Sequence, residues 1–313
     1  MHESDNAALS GDYEVLIIGG GAAGLAAALT LGRLRRKVLL CDDQQPRNQA
    51  AAHMYNFPGY DGAAPELWRS QVRKDLQKYP SLSSQTTRVM KIAQTGTGFE
   101  AQLASGGRVS AQKVLLAYGM KDRLPDIPNL AELWGDTAVH CPFCHGFEFQ
   151  DQALALVGDG EMALHLLSML LGLSADLMLL TQGPSQLTPE QKQKIAAKNI
   201  HLVETPIQTL EHTGPKLEAI VFADGKRISR DVLYVQTAFP VHLSAHLGED
   251  LGCKVTDFGW YEVDAFGKTT VEGVYAAGDI AGTHGMSVVN SAAFGSTAGA
   301  RIAGELLLQK SGF

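Results

Sequence analysis

Two strand–glycine loop–helix–strand units, at residues 14–42 and 153–180, carry the fold prediction. A third strand running into a glycine turn and an acid, at 269–279, completes it. Together they predict an α/β chain of two Rossmann-like, three-layer dinucleotide-binding domains, the second inserted into the first.

The first strand is the β-rich run Glu14-Val15-Leu16-Ile17-Ile18. It enters Gly19-Gly20-Gly21-Ala22-Ala23-Gly24 and the helix-forming Leu25-Ala26-Ala27-Ala28-Leu29. A second strand, Lys37-Val38-Leu39-Leu40-Cys41, ends at Asp42. In this arrangement Gly19 makes the turn, Gly21 lets the backbone approach a pyrophosphate, and Gly24 lets helix pack on strand. The helix N-terminus supplies an anion site, and Asp42 can bind ribose hydroxyls. The plain alternative is a tight turn with no ligand. A hairpin pairing 99–103 with 109–117 follows.

The second unit runs Ala153-Leu154-Ala155-Leu156-Val157, then Gly158-Asp159-Gly160-Glu161-Met162-Ala163, a helix to Leu171, and the strand Leu177-Met178-Leu179-Leu180. Two features argue against a nicotinamide nucleotide there. Asp159 places a carboxylate where a phosphate would come closest, satisfying the helix dipole itself. The strand end, Thr181-Gln182-Gly183-Pro184, offers no arginine for a 2′-phosphate and no acid for a ribose.

After Gly278-Asp279, a helix over 288–308 carries Ser291, Ala292, Ala293, Gly295, Ala298 and Gly299, small enough for close approach to a sheet or a cofactor. The expected domains are 1–120 plus 243–313, with 121–242 inserted. Proline-bearing crossovers fall near 121–128 and 239–245.

Length and composition agree. The 313 residues exceed one comfortable core, with 45% hydrophobic and 19% charged residues. A net charge of −7 and the lack of a cationic run argue against a nucleic-acid partner; Arg33, Arg35, Arg36 and Lys37 read as a solvated helix end. The polar start has no apolar leader core, and no 18-residue apolar run suggests a membrane. Four cysteines make no secreted disulfide framework, so a reducing, cytoplasmic compartment is expected. Cys41 and Cys253 read as inert packing thiols.

The other two cysteines lie in Val139-His140-Cys141-Pro142-Phe143-Cys144-His145-Gly146. A Cys-x-x-Cys pair at a helix start gains thiolate character from backbone amides and the helix dipole, and Pro142 suits the first helical position. Taken alone, the pair fits redox exchange, half a zinc site or chance. His140 and His145 are unsuited to one ion with their neighbouring cysteines, which disfavours zinc.

With these pieces in order, the chain resembles the low-molecular-weight thioredoxin reductase family over nearly its whole length. The resemblance rests on 19–24, Asn56-Phe57-Pro58-Gly59, Ala117-Tyr118-Gly119, the cysteine pair, 158–163 and 273–279. It implies a homodimer with FAD in the first domain. FAD would lie against Gly19, Gly21, Ala22, Ala23, Gly24, Asp42, Asn56, Gly119, Gly278, Asp279, Ser287 and Val288. Cys144 would face the flavin and Cys141 would exchange with the substrate. Three departures stand out. His145 replaces the aspartate that follows the second cysteine, Thr181-Gln182-Gly183 replaces an arginine cluster, and Met286-Ser287 replaces an Arg-Gln pair. They resemble the branch holding fungal gliotoxin-type dithiol oxidases, and also ferredoxin-dependent relatives. The expectation is an FAD-dependent dithiol–disulfide oxidoreductase working without NADPH on a thioredoxin-like protein or a small dithiol. His145 would serve as general base, because an imidazole titrates near neutrality. An oxygen-using dithiol oxidase releasing peroxide and a non-catalytic flavoprotein sensor are the alternatives. A terminal aromatic, Phe313, is a candidate cover for the flavin.

Overall fold

The computed structural model describes residues 10–237, 241–282 and 285–312. In chain order the elements are β1 (Ser10–Ile18), α1 (Ala22–Arg33), β2 (Val38–Asp42), α2 (Pro65–Leu76), β3 (Leu82–Thr86), β4 (Val89–Thr95), β5 (Gly98–Leu103), β6 (Arg108–Leu116) and β7 (Met120–Lys121). Then come α3 (Leu130–Leu133), β8 (Ala138–Val139), α4 (Pro142–His145), β9 (Leu154–Val157), α5 (Gly160–Leu170), β10 (Leu177–Leu180), α6 (Pro189–Ala196), β11 (His201–Val203), β12 (Ile207–Thr213), β13 (Lys216–Phe222), β14 (Arg227–Ser229) and β15 (Val232–Val235). The last are β16 (His242–Leu243), α7 (Leu247–Asp250), β17 (Val274–Ala276) and α8 (Val288–Ser311). The chain splits into two compact units. Unit 1 is Met1–Arg47, Glu66–Lys121 and Phe239–Phe313, and unit 2 is Asn48–Pro65 and Asp122–Ala238.

Unit 1 is built on a seven-stranded sheet of order β3-β2-β1-β6-β5-β4, with β17 also paired to β6. The β3-β2-β1-β6-β17 part is parallel, and β4-β5-β6 is an antiparallel meander whose register sets Phe99 opposite Ala111. Composition explains the difference. In β1, Val15 to Ile18 are buried on both faces, as a central parallel strand requires. In β5 burial alternates residue by residue, as expected of a sheet wetted on one face. The helix over 288–308 extends to Ser311. Its small residues serve one contact, in which a Cβ at Gly295 would land on the Ala23 carbonyl oxygen and one at Gly299 would crowd the Ala27 carbonyl oxygen at 3.0 Å.

Unit 2 carries a fully parallel five-stranded sheet, β11-β10-β9-β15-β8, and an antiparallel sheet, β12-β13-β14. Alternate residues of the parallel strands enter two cores. Leu154, Leu156, Leu177 and Leu179 pack with Ala163, Leu167 and Leu170 of α5. Ala155, Val157, Met178 and Leu180 pack with Leu210, Ile220 and Phe222 of the antiparallel sheet and Leu133 of α3. The layers are therefore helix, sheet, sheet.

One boundary differs from the sequence-based expectation: residues 48–65, placed there in the first domain, belong to unit 2. The cause is packing invisible to local pattern. Met54 is buried and pairs with Ala63, and the Ala50 backbone lies so close to Gly135 that a Cβ there would meet it at 2.6 Å. The crossovers fall at 121/122 and 238/239. Phe313 lies outside the described residues.

Candidate active site

In unit 1 the glycine loop forms an open cradle. Gly21 is the N-cap of α1, with no side chain capping it and no acid in the first turn. The first amides of this 12-residue helix take no side-chain cap, which leaves the positive end of its dipole suited to an anion. A Cβ at Gly21 would meet no protein atom within 4 Å, whereas one at Gly24 would land on the Gly19 carbonyl oxygen. Gly19 has φ +109° and lies against the Ala117 carbonyl. Gly119 has φ +68°, and its carbonyl accepts from the Ser244 amide at 3.1 Å. The adjoining Tyr118 is anchored by Tyr261, hydroxyl to hydroxyl at 2.5 Å, and Tyr261 donates to Glu249.

Asp42, expected to bind ribose hydroxyls, and Asp279, expected against the FAD, lie beside the cradle. Asp42 ends β2 next to Gly20 and pairs with Arg73 at 3.3 Å. Gly278 (φ +82°) brings the Asp279 turn against Ala23, where a Cβ on Gly278 would be 3.0 Å from the Ala23 methyl. Asp279 pairs with Arg47 at 3.0 Å and accepts from Ser291 Oγ at 3.2 Å. Ser287 caps α8 by accepting from the Asn290 amide at 3.2 Å, and Val288 is the first residue of that helix. The residues present fit a dinucleotide: an uncapped helix end, a cradle cleared by glycine, and two carboxylates for hydroxyl groups. Asn56 is in unit 2, in the left-handed region (φ 58°), with its amide donating to Asp61 Oδ1 at 2.7 Å. Arg47 and Arg73 carry no motif signal in the sequence, and Ser291, read there only as a small residue, is the hydroxyl that bonds Asp279.

The glycine loop of unit 2 is different. Asp159 caps α5, accepting from the Gly160 amide at 2.8 Å, the Ser185 hydroxyl at 3.1 Å and the Gln186 amide at 2.8 Å. Glu161 adds a second acid in the first turn. Gln182, at the end of β10, uses its carbonyl to accept from the Ile207 amide at 2.7 Å.

Also in unit 2, Cys141 and Cys144 form a disulfide, their Cα atoms 5.2 Å apart. Pro142 opens α4, and the Cys144 and His145 amides donate to the Cys141 carbonyl at 3.1 and 3.2 Å. Because α4 is a single turn, its dipole contributes less thiolate stabilisation than the sequence reading assumed. Phe143, between the two cysteines, and Phe147, three residues beyond them, are 71% and 75% exposed. His145 is half-buried between aromatic rings. Phe149 stacks on it at 6.4 Å and Tyr55 meets it edge-on at 6.1 Å. Its Nδ1 is buried with no hydrogen-bond partner. Burial lowers the imidazole pKa from its ordinary value, against the pull of the Asp136 carboxylate. His140 stacks on Trp134 at 5.6 Å. Cys41 and Cys253 are buried, and burial, with Asp42 adding, pushes Cys41 up to about 12, so neither is a nucleophile.

A dinucleotide cradle and an exchangeable Cys-x-x-Cys disulfide in one chain define a redox enzyme of the disulfide oxidoreductase class. The chain belongs to the pyridine nucleotide-disulphide oxidoreductase family, whose sequence profile matches residues 13–295. It is 30% identical over 312 residues to thioredoxin reductase tcpT of Claviceps purpurea (strain 20.1), covering 96% of each chain. It is 30% identical over 291 residues to thioredoxin reductase sirT of Leptosphaeria maculans, covering 86% of this chain and 87% of that one. Among solved structures it superposes on HlmI with a TM-score of 0.90 at 31% identity, over 96% of this chain and 94% of the other. The oxidoreductase from Agrobacterium tumefaciens gives 0.88 at 32%, over 95% and 99%. The chain is a thioredoxin reductase-like flavin disulfide oxidoreductase. No helix among the described residues is long and apolar enough to cross a membrane.

Proposed function

We propose that this enzyme is FAD-dependent and oxidises dithiols without using NADPH. The observation that carries this reading is Asp159: its carboxylate takes up the α5 N-terminus that a nucleotide phosphate would need, while the α1 N-terminus stays free. Gly19, Gly21, Ala22, Ala23 and Gly24 would hold the FAD pyrophosphate. Asp42 and Asp279 would take hydroxyl groups, with Gly119, Ser287 and Val288 completing the site in unit 1. Bound FAD supplies a two-electron acceptor for the reduced cysteine pair.

The chain's own residues handle thiols and protons. A substrate thiolate attacks Cys141 Sγ, and Cys144 leaves as a thiolate. The second substrate thiolate then attacks the first substrate sulfur of this mixed disulfide and displaces Cys141 as a thiolate, so the substrate becomes a disulfide and the pair a dithiol. His145, neutral at physiological pH because of its burial, takes up a proton from an incoming thiol. A neutral base favours this direction, since dithiol oxidation must shed protons. Oxygen then takes the two electrons and is released as hydrogen peroxide. The substrate is a small dithiol or a thioredoxin-like protein, and the enzyme works as a homodimer in a reducing, cytoplasmic compartment.

Anaerobic mixing tests the reading. A dithiol such as dithiothreitol should bleach the flavin absorbance, and air should restore it with release of peroxide. NADPH and NADH should leave the spectrum unchanged, and rapid bleaching by NADPH would overturn the proposal. A Cys144→Ser variant should lose turnover entirely.

A further inference from the structure

The segment 48–65 lies in sequence between β2 and α2 of unit 1, yet packs as part of unit 2. It is pinned by its own hydrogen bonds. The Met54 amide donates to the Ala63 carbonyl at 2.7 Å and the Gly62 amide to the Met54 carbonyl at 2.9 Å. The Asn56 amide donates to Asp61, and His53 Nδ1 lies 3.0 Å from the Gly62 carbonyl oxygen. Met54 is buried beneath it. Besides the Ala50 backbone against Gly135, this closed loop presents the Tyr55 ring to the rest of the unit, edge-on to His145. Phe149 covers the imidazole on another side, and the Tyr234 hydroxyl donates to the His145 carbonyl at 3.3 Å.

We propose that Tyr55 is a positioning residue for the His145 imidazole, so that the loop 48–65 completes the thiol-exchange site. The inference rests on the reading of His145 as the base in dithiol oxidation. An orphaned ring nitrogen costs least when it carries no proton, and it stays orphaned only while water is kept away. The Tyr55 and Phe149 rings do this. The charged groups around the ring do not supply a substitute partner. Asp136 pulls toward the protonated form, and Glu148 acts on Tyr55 and Tyr234. On α5, which also packs against α4, Glu161 bonds Gln191 and His165 is the other titratable group. Burial, then Glu148 and Asp61, pushes Tyr55 itself up, so it remains a neutral phenol. The ring acts by excluding water, not by its hydroxyl.

The test follows the His145 ring protons by NMR against pH in the holoenzyme with its disulfide closed, in wild type, Tyr55→Phe and Tyr55→Ala. In Tyr55→Ala the titration should move up toward the ordinary imidazole value, while Tyr55→Phe tracks wild type. The acid limb of the dithiol half-reaction should move the same way, with a several-fold loss of rate below neutrality. Tyr55→Thr replaces the alanine variant if that one does not fold. An unchanged titration in Tyr55→Ala, or an equal shift in Tyr55→Phe, overturns the proposal. The titration needs no turnover. A wild-type enzyme that oxidises no dithiol would therefore sink the reading of function while this measurement still decides the role of Tyr55.

Discussion

At the scale of residues, His145 shows how environment outweighs identity. An exposed imidazole would be half charged near 6.5, whereas here burial lowers that value against Asp136. The sign of the linkage follows. The folded state binds the proton less readily than the unfolded chain, so the contribution to stability is whole above 6.5 and is lost as pH falls through the lowered folded value. Urea midpoints of wild type and His145→Gln should therefore diverge as pH drops below neutrality, the wild type falling more steeply. Parallel pH profiles for the two proteins would show that His145 carries no such linkage. The role of Tyr55 belongs to this scale as well: one ring from a distant segment sets the solvent access of one nitrogen.

Helix ends and helix contacts decide the rest of the site. Asp159 at the start of α5 accepts from two backbone amides and a hydroxyl. Its replacement by alanine should cost about 1–2 kcal/mol, as loss of an N-cap does, read as a lower urea midpoint. The α1–α8 contact offers a sharper pair of variants in one helix. Gly295→Ala drives a methyl into the Ala23 carbonyl and should destabilise unit 1 by about 1–3 kcal/mol. Gly304→Ala meets nothing within 4 Å and should stabilise by about 0.5–1 kcal/mol. If the two variants behaved alike, helix propensity rather than backbone approach would govern the glycines of α8.

For the whole molecule, two glycine loops on similar folds invite the expectation of two nucleotide sites. The differing helix ends predict one. Adding FAD to the apoprotein should slow amide hydrogen exchange at 19–25 and 278–280. NADPH should leave 158–163 unprotected. Protection of the second loop by NADPH would mean that Asp159 yields its cap to a phosphate.

Much of this was legible in the sequence. The strand β1, the Gly19–Gly24 turn, α1 and β2 follow from an apolar run, four glycines and an alanine-rich stretch that read the same in isolation as in the fold. Asp159 announced its capping role for the same reason, because an N-cap bonds amides within a turn of itself. The family resemblance, carried by motifs in fixed order, placed the disulfide before any coordinate did. The rest depended on segments far apart in the chain. Arg47 meets Asp279 across 232 residues. Residues 48–65 leave the unit that flanks them, and the Ala50 backbone packs against Gly135 of unit 2. Tyr55 reaches His145 for that reason alone. The sequence by itself determined the local elements and the open and the closed helix end, since each is settled by hydrogen bonds and periodicities a few residues long, and it marked the redox pair through the order of motifs that carries the resemblance. Only the tertiary structure decided which unit each segment joins and what surrounds the base, because burial depends on side chains that local pattern does not bring together.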